Sequence, residues 1–337
     1  MKKGTKIALL IGILLLAFGL TVMQIARHRG EGFSFSVPAV SSVGTLNYDQ
    51  KGYTVCTDGE ESFSTNEVKE LKLDWLSGSV TVERYDGKAV VVREKAAVRL
   101  EEDECLRWRL SGGTLSILPC ANRVRTLPNK ELTVLVPQGL TLKGVDADST
   151  SASVRVSGLS VRDAIRADST SGSLYAEDCV CGSLSLNSTS GSQHILRADV
   201  SGNVDADSIS GSFTAEDLRC GELDVDSTSG SHKISALSCG KLRLSSISGS
   251  QRVCGLDCRE ADASSASGSV HLAFAAAPAS VDVETTSGSV ELTFPKGTGI
   301  DLDYDRSTGS LHGDVIHGAL PVEVETTSGS LTIRYQD

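Results

Sequence analysis

Two positions of a repeating segment in this 337-residue chain are rich in carboxylates. Count back from the middle residue of each S-G-S word. The residue six before reads Lys72, Asp146, Arg166, Ser185, Asp205, Asp224, Arg243, Asp262, Asp282, Asp303 and Glu323. The residue four before reads Asp74, Asp148, Asp168, Asn187, Asp207, Asp226, Ser245, Ser264, Glu284, Asp305 and Glu325. Fifteen acids against three bases outweigh the net charge of −11 of the whole chain, so its negative excess lies on these two columns. Carboxylates stacked about 4.8 Å apart repel by roughly 0.9 kcal/mol in water before salt screening. Such a stripe needs compensation by water, a cation or a basic partner. Calcium prefers carboxylate oxygens, and Asp205, Asp207, Asp224 and Asp226 form a compact four-acid patch over two adjacent repeats. These four are the candidate calcium ligands. The readings beside it are a plain solvated face and a dock for a polycationic partner.

Other reactive residue types are less persuasive. Serine recurs in every S-T-S-G-S word, but ten repeated serines without a partnering base read as corner residues whose hydroxyls bond the backbone. His194, His271 and His312 share the column three after the glycine and are too many repeats apart to hold one metal. That column (Arg155, Tyr175, His194, Thr214, Lys233, Arg252, His271, Glu291, His312) leans basic, which suggests a second kind of contact face, an ordinary mixed surface being the alternative. Cys181, Cys220, Cys239 and Cys258 each stand ten before a glycine, with Ser201 filling the gap. They read as small semi-buried side chains at a second corner or as a metal-thiolate column. A catalytic cleft needs converging groups on extended loops, and repeats of 19 to 21 residues leave no room for one. No enzyme activity is therefore expected. A threonine array that orders water is broken by Ile209, Ile247 and Ala266.

The elements that must hold these columns follow from the apolar ones. Seven and five residues before the glycine, all eleven repeats carry an apolar or aromatic residue, from Leu71/Leu73 to Val322/Val324. Four after it the column runs Val82, Val156, Ala176, Ile195, Ala215, Ile234, Val253, Leu272, Leu292, Gly313 and Ile333, and only Gly313 fails. Spacing of two means strands, and equal phase at a period of about 20 means that each strand stacks on its copy. The expected fold is all-β: a single-stranded β-helix of 19–21-residue turns, about eleven layers and roughly 50 Å long. Glycine at the corner allows unusual angles or close approach. Upstream, SGGT between CLRWRL and TLSILPC signals a hairpin centred on Gly112-Gly113. That register sets Cys105 opposite Cys120, the candidate disulfide.

The first residues stand apart. MKKGTK precedes an uncharged stretch at 7–25, whose nineteen residues would span roughly 28 Å as a helix. It is expected to be an uncleaved signal anchor, the alternative being a signal peptide cut near Ala17–Gly19. Lys2, Lys3 and Lys6 favour the N-terminus inside. The expected organisation is therefore a signal-anchor helix (1–29), a stalk (30–66), an N-terminal β region with a hairpin (67–140) and the repetitive solenoid (141–337). The expected location is the bacterial plasma membrane, single-pass, with 31–337 extracytoplasmic. The acidic balance argues against nucleic acid.

VKELKLDWLSGSVTVERYDGKAVVVREK, VLVPQGL and the serial SGS turns resemble the bacterial putative-adhesin family of β-strand-repeat proteins, over most of residues 67–337. Ala152 and the cysteine column depart from the family's pattern. The resemblance implies a non-catalytic scaffold for surface interaction and supplies no catalytic residues. Some relatives are encoded near envelope-stress regulators, which implies an alternative: an accessory protein that binds a membrane partner or cationic peptide. No cofactor is expected beyond a calcium ion on the acidic patch. Self-association is expected where the last turn leaves an end layer uncovered.

Overall fold

In a computed structural model of the protein, Leu71, Val145, Ile165, Leu184, Val204, Leu223, Leu242, Ala261 and Val281 stand in one parallel register from strand to strand. All nine are at most 2% exposed. The structure describes residues 48–336 apart from 123, 125 and 126, so the expected anchor helix lies outside the described residues. Among the described residues every regular element is a strand. The fold is an all-β solenoid.

Three consecutive strands, Phe213–Ser227, His232–Ser246 and Gln251–Ser265, each run through most of a turn. Pairing between the first two skips Asp217 and Gly221, which divides each turn into three short straight runs. Inward residues of all three meet in one continuous core. The period-two apolar pattern causes this: a strand that alternates faces can bury one side only by coiling it inward and stacking it on the next copy.

The S-T-S-G-S word turns the first corner. Its first serine is buried or half-buried and donates to the carbonyl of the word's glycine, as buried Ser246 Oγ does to Gly249 O at 2.8 Å and half-buried Ser208 Oγ to Gly211 O at 2.9 Å. Glycine is needed there for close approach: a Cβ on Gly249 would stand 1.7 Å from the carbonyl oxygen of Gly230. Ala152 stacks on the Gly78 turn, whose φ of 95° bends that corner differently. The strained corner is another one, six residues further on. Gly158, Asp178, Arg197, Asp217, Ala236 and Gly255 all have φ between 50° and 68°.

The ends depart from chain order. Strand Leu320–Ser328 lies between Ser280–Thr285 and Ile300–Thr308, so the last turn is inserted one layer inward. The uncovered layer is thus the 300–313 turn and not the final one, a correction to the expected stacking. The physical reason is burial. Val322, Val324, Leu331 and Ile333 present apolar side chains inward, and Tyr335 continues the Phe274–Phe294 ring ladder. The 300–313 turn has exposed Leu311 and Gly313 there, so less is lost by leaving it outermost.

The other end shows the same inversion. Thr114–Leu118 and Lys130–Pro137 stack outside Glu70–Trp75 and Gly78–Tyr85, so the Gly78 turn is not the first layer. Antiparallel strands Arg107–Ser111 and Ala89–Ala96 then close the stack, followed by Thr54–Val55 and Glu60–Ser64. The last two fall within the stretch read as a stalk. Inside this cap Lys130 is 1% exposed, with Nζ 2.5 Å from Glu94 Oε1 and 2.6 Å from the Glu104 carbonyl. Cys105 and Cys120 are buried free thiols, and the hairpin register of Arg107 with Leu118 is the one expected from the SGGT turn.

Candidate functional site

Alternation puts the two acidic columns on the outer face of the strands whose inner face carries Val225 and its stacked copies. Parallel pairing brings Asp74, Asp148 and Asp168 into one row, continued by Asn187, Asp207 and Asp226. The row ends with Glu284, Glu325 and Asp305 in that spatial order, because of the inserted last turn.

Several of these carboxylates are partly buried, which disfavours their charge. Burial first, then repulsion from Asp146, Asp74 and Asp168, pushes the Asp148 carboxyl up to about 7. Burial, with repulsion from Asp226 and Asp205 behind it, pushes Asp207 up to about 6. Asp74, Asp205 and Asp282 are also raised, chiefly by burial. Asn187 relieves one gap by donating to Asp168 Oδ1 at 2.7 Å. Further along, Arg243 pairs with Glu222 and lies 3.8 Å from Asp224, while Lys241 Nζ is 2.8 Å from Asp262. The stripe is therefore partly neutralised from within at the 243 layer.

Asp205 pairs with Asp224 and Asp207 with Asp226 in adjacent layers, the arrangement expected of the four candidate ligands. A different trio converges. Asp146, Asp148 and Asp168 each offer an oxygen, all within 4.8 Å of one another. A hard divalent cation there would be held by oxygens from two layers, and would replace mutual repulsion with attraction. The sequence signal for this trio was the unbroken run of aspartates at Asp74, Asp148 and Asp168. Beside it lies a shallow cleft of ≈ 310 Å³ lined by Glu70, Lys72, Lys143, Asp146, Asp163 and Arg166. Lys143 is already 2.7 Å from Glu70, and Lys72 is 4.0 Å from Asp146.

The opposite outward column is an ordered stack. The Arg155 guanidinium sits 4.3 Å above the Tyr175 ring, which stacks on His194 at 4.8 Å. His271 lies 3.2 Å from Glu291, which also pairs with Arg334 at 3.0 Å.

The model of the Toastrack DUF4097 family matches residues 198–334. Those residues form a Toastrack DUF4097 domain. Asp205, Asp207, Asp224 and Asp226 fall inside the Toastrack domain, whereas Asp146, Asp148 and Asp168 precede it in the same coil. Among solved structures, the chain is similar to a Parabacteroides distasonis ATCC 8503 protein described as a putative lipid binding protein. That match has 16% identity and a TM-score of 0.40, and covers 85% of this chain and 97% of that one. A putative adhesin from the same organism has 13% identity and a TM-score of 0.42, covering 82% and 99%. A putative adhesin from Bacteroides fragilis NCTC 9343 has 13% identity and a TM-score of 0.34, covering 82% and 96%. No curated protein matches.

Proposed function

We propose that this chain is a non-catalytic, membrane-anchored, extracytoplasmic scaffold that binds through its acidic ladder, as an adhesin or surface-interaction protein does. The observation that carries this reading is the row Asp74–Asp148–Asp168, in which carboxyls half-buried beside like charges are held in register by rigid layers. A cation or basic group that completes the row gains more than it would at a solvated surface, because the fold has already met the cost of crowding the charges. Calcium is the small-ion candidate.

The second reading is an envelope-stress accessory protein whose ladder takes a cationic peptide or the basic segment of a membrane partner. It rests on the same row, which is longer than one ion needs.

A calorimetric titration of the purified chain with calcium in low salt tests the first reading. Saturable binding abolished by Asp146→Asn, Asp148→Asn and Asp168→Asn together is the expected result. If the loss follows substitution of Asp205, Asp207, Asp224 and Asp226 instead, the ion sits in the Toastrack domain. An absence of heat, with a lysine-rich peptide binding in its place, moves the conclusion to the second reading.

A further inference from the structure

Cys220, Cys239 and Cys258 occupy one position in three consecutive turns. Cys220 pairs with Cys239, and Cys239 with Cys258, in uninterrupted parallel register. The outer two are 7% and 5% exposed and the middle one is half-buried, so the column is shielded yet reachable by a small ion.

We propose that this column is a soft-metal site in which adjacent sulfurs clasp monovalent d¹⁰ cations such as Cu(I), one between Cys220 and Cys239 and one between Cys239 and Cys258. The argument is one of distance. Parallel layers repeat at about 4.8 Å, and two opposed metal–sulfur bonds of about 2.3 Å each span nearly the same gap. A disulfide is a worse fit, since it needs Cβ atoms about 3.5–4.5 Å apart and both rigid strands would have to close on each other. Zinc asks for four ligands around a tetrahedron, which sulfurs on three successive layers do not provide. Calcium and magnesium ask for oxygen. Thiolate is the donor that selects Cu(I). Full occupation forms four metal–sulfur bonds, releases three thiol protons to solvent and leaves one net negative charge on the column, with no electron transferred.

The test is an anaerobic titration of the full-length protein with Cu(I) in competition with bathocuproine disulfonate. The column is expected to contribute two ions per chain. Cys239→Ser should remove both, and Cys220→Ser or Cys258→Ser should each remove one. Cys181→Ser should remove none, because Cys181 faces Val161 and Val200 in its neighbouring layers. In the layer before Cys220 the column is filled by buried Val200 and not by Ser201 as the sequence spacing suggested, and melting curves check that each variant folds. Equal Cu(I) stoichiometry in Cys239→Ser and the parent would overturn the site. So would a Cys220–Cys239 or Cys239–Cys258 disulfide formed readily by exchange with glutathione disulfide, because it would show that the layers close to bonding distance.

Discussion

At Gly249 the word that repeats through the chain is explained by one distance, the 1.7 Å that a Cβ would leave to the Gly230 oxygen. Gly249→Ala is therefore expected to destabilise the fold by about 2 kcal/mol or more, as overpacking does. Ala236 presents the opposite case, a side chain held at φ 51° where glycine would relax. Ala236→Gly should stabilise by about 1 kcal/mol in urea unfolding, the cost of a left-handed residue. Both substitutions run against the usual ranking of alanine over glycine, and a shared sign of the two stability changes would refute the corner assignments. The ladder makes a second prediction at this scale. Asp148 and Asp207 are raised to about 7 and about 6 from 3.8, so the folded state holds protons that the unfolded chain has released. Their contribution favours the fold below about pH 4 and is lost as pH rises through 6 to 7. Buried His232, lowered to about 4, acts oppositely and weakens the fold as pH falls from 6.5. Asp148→Asn should thus be more stable than the parent at pH 8 by about 1–2 kcal/mol after solvent screening, and equal to it near pH 4. An unchanged difference at the two pH values would show that Asp148 is ionised throughout.

Among the elements, Leu320–Ser328 decides how the C-terminal end is built. It is later in the chain than Ile300–Thr308 and yet deeper in the stack. Val324 is fully buried, whereas Leu302 is only partly so. Val324→Ala should cost about 2 kcal/mol, and Leu302→Ala less despite its larger truncation. Native-state hydrogen exchange should likewise protect Leu320–Ser328 more than Ile300–Thr308. Faster exchange in the later strand would restore chain order. This inversion had one trace in the sequence, Gly313, the only residue to break its apolar column. An interruption there marks the turn least worth covering on both sides.

For the coil as a whole, the two ends differ in kind. One is closed by antiparallel strands around the buried Lys130–Glu94 pair. The other ends on Ile300–Thr308, whose outer edge carries Asp301, Asp303 and Asp305 and whose flank exposes Leu311 and Ile316. Charged residues on an edge strand oppose further pairing. Self-association, expected from the sequence at an open end, has one such end available. It should therefore close as a two-fold dimer and not extend into filaments. Sedimentation velocity across a concentration series checks this, and species beyond dimer would show that the capped end also pairs.

The sequence by itself determined the coil. Apolar residues at spacing two, repeated in phase from Leu71/Leu73 to Val322/Val324, can be buried together only if strands stack on their copies. The same phase placed the acids outside and the cysteines in line. Three things were left to the tertiary structure: the order of the end layers, the left-handed corner and the convergence of Asp146, Asp148 and Asp168. Layer order depends on which turn loses least by being outermost, a comparison between distant segments. The corner is hidden because Asp178, Arg197, Asp217 and Ala236 occupy it with no common chemistry. The trio depends on how side chains from neighbouring layers turn toward each other, and that is fixed only once the layers are packed.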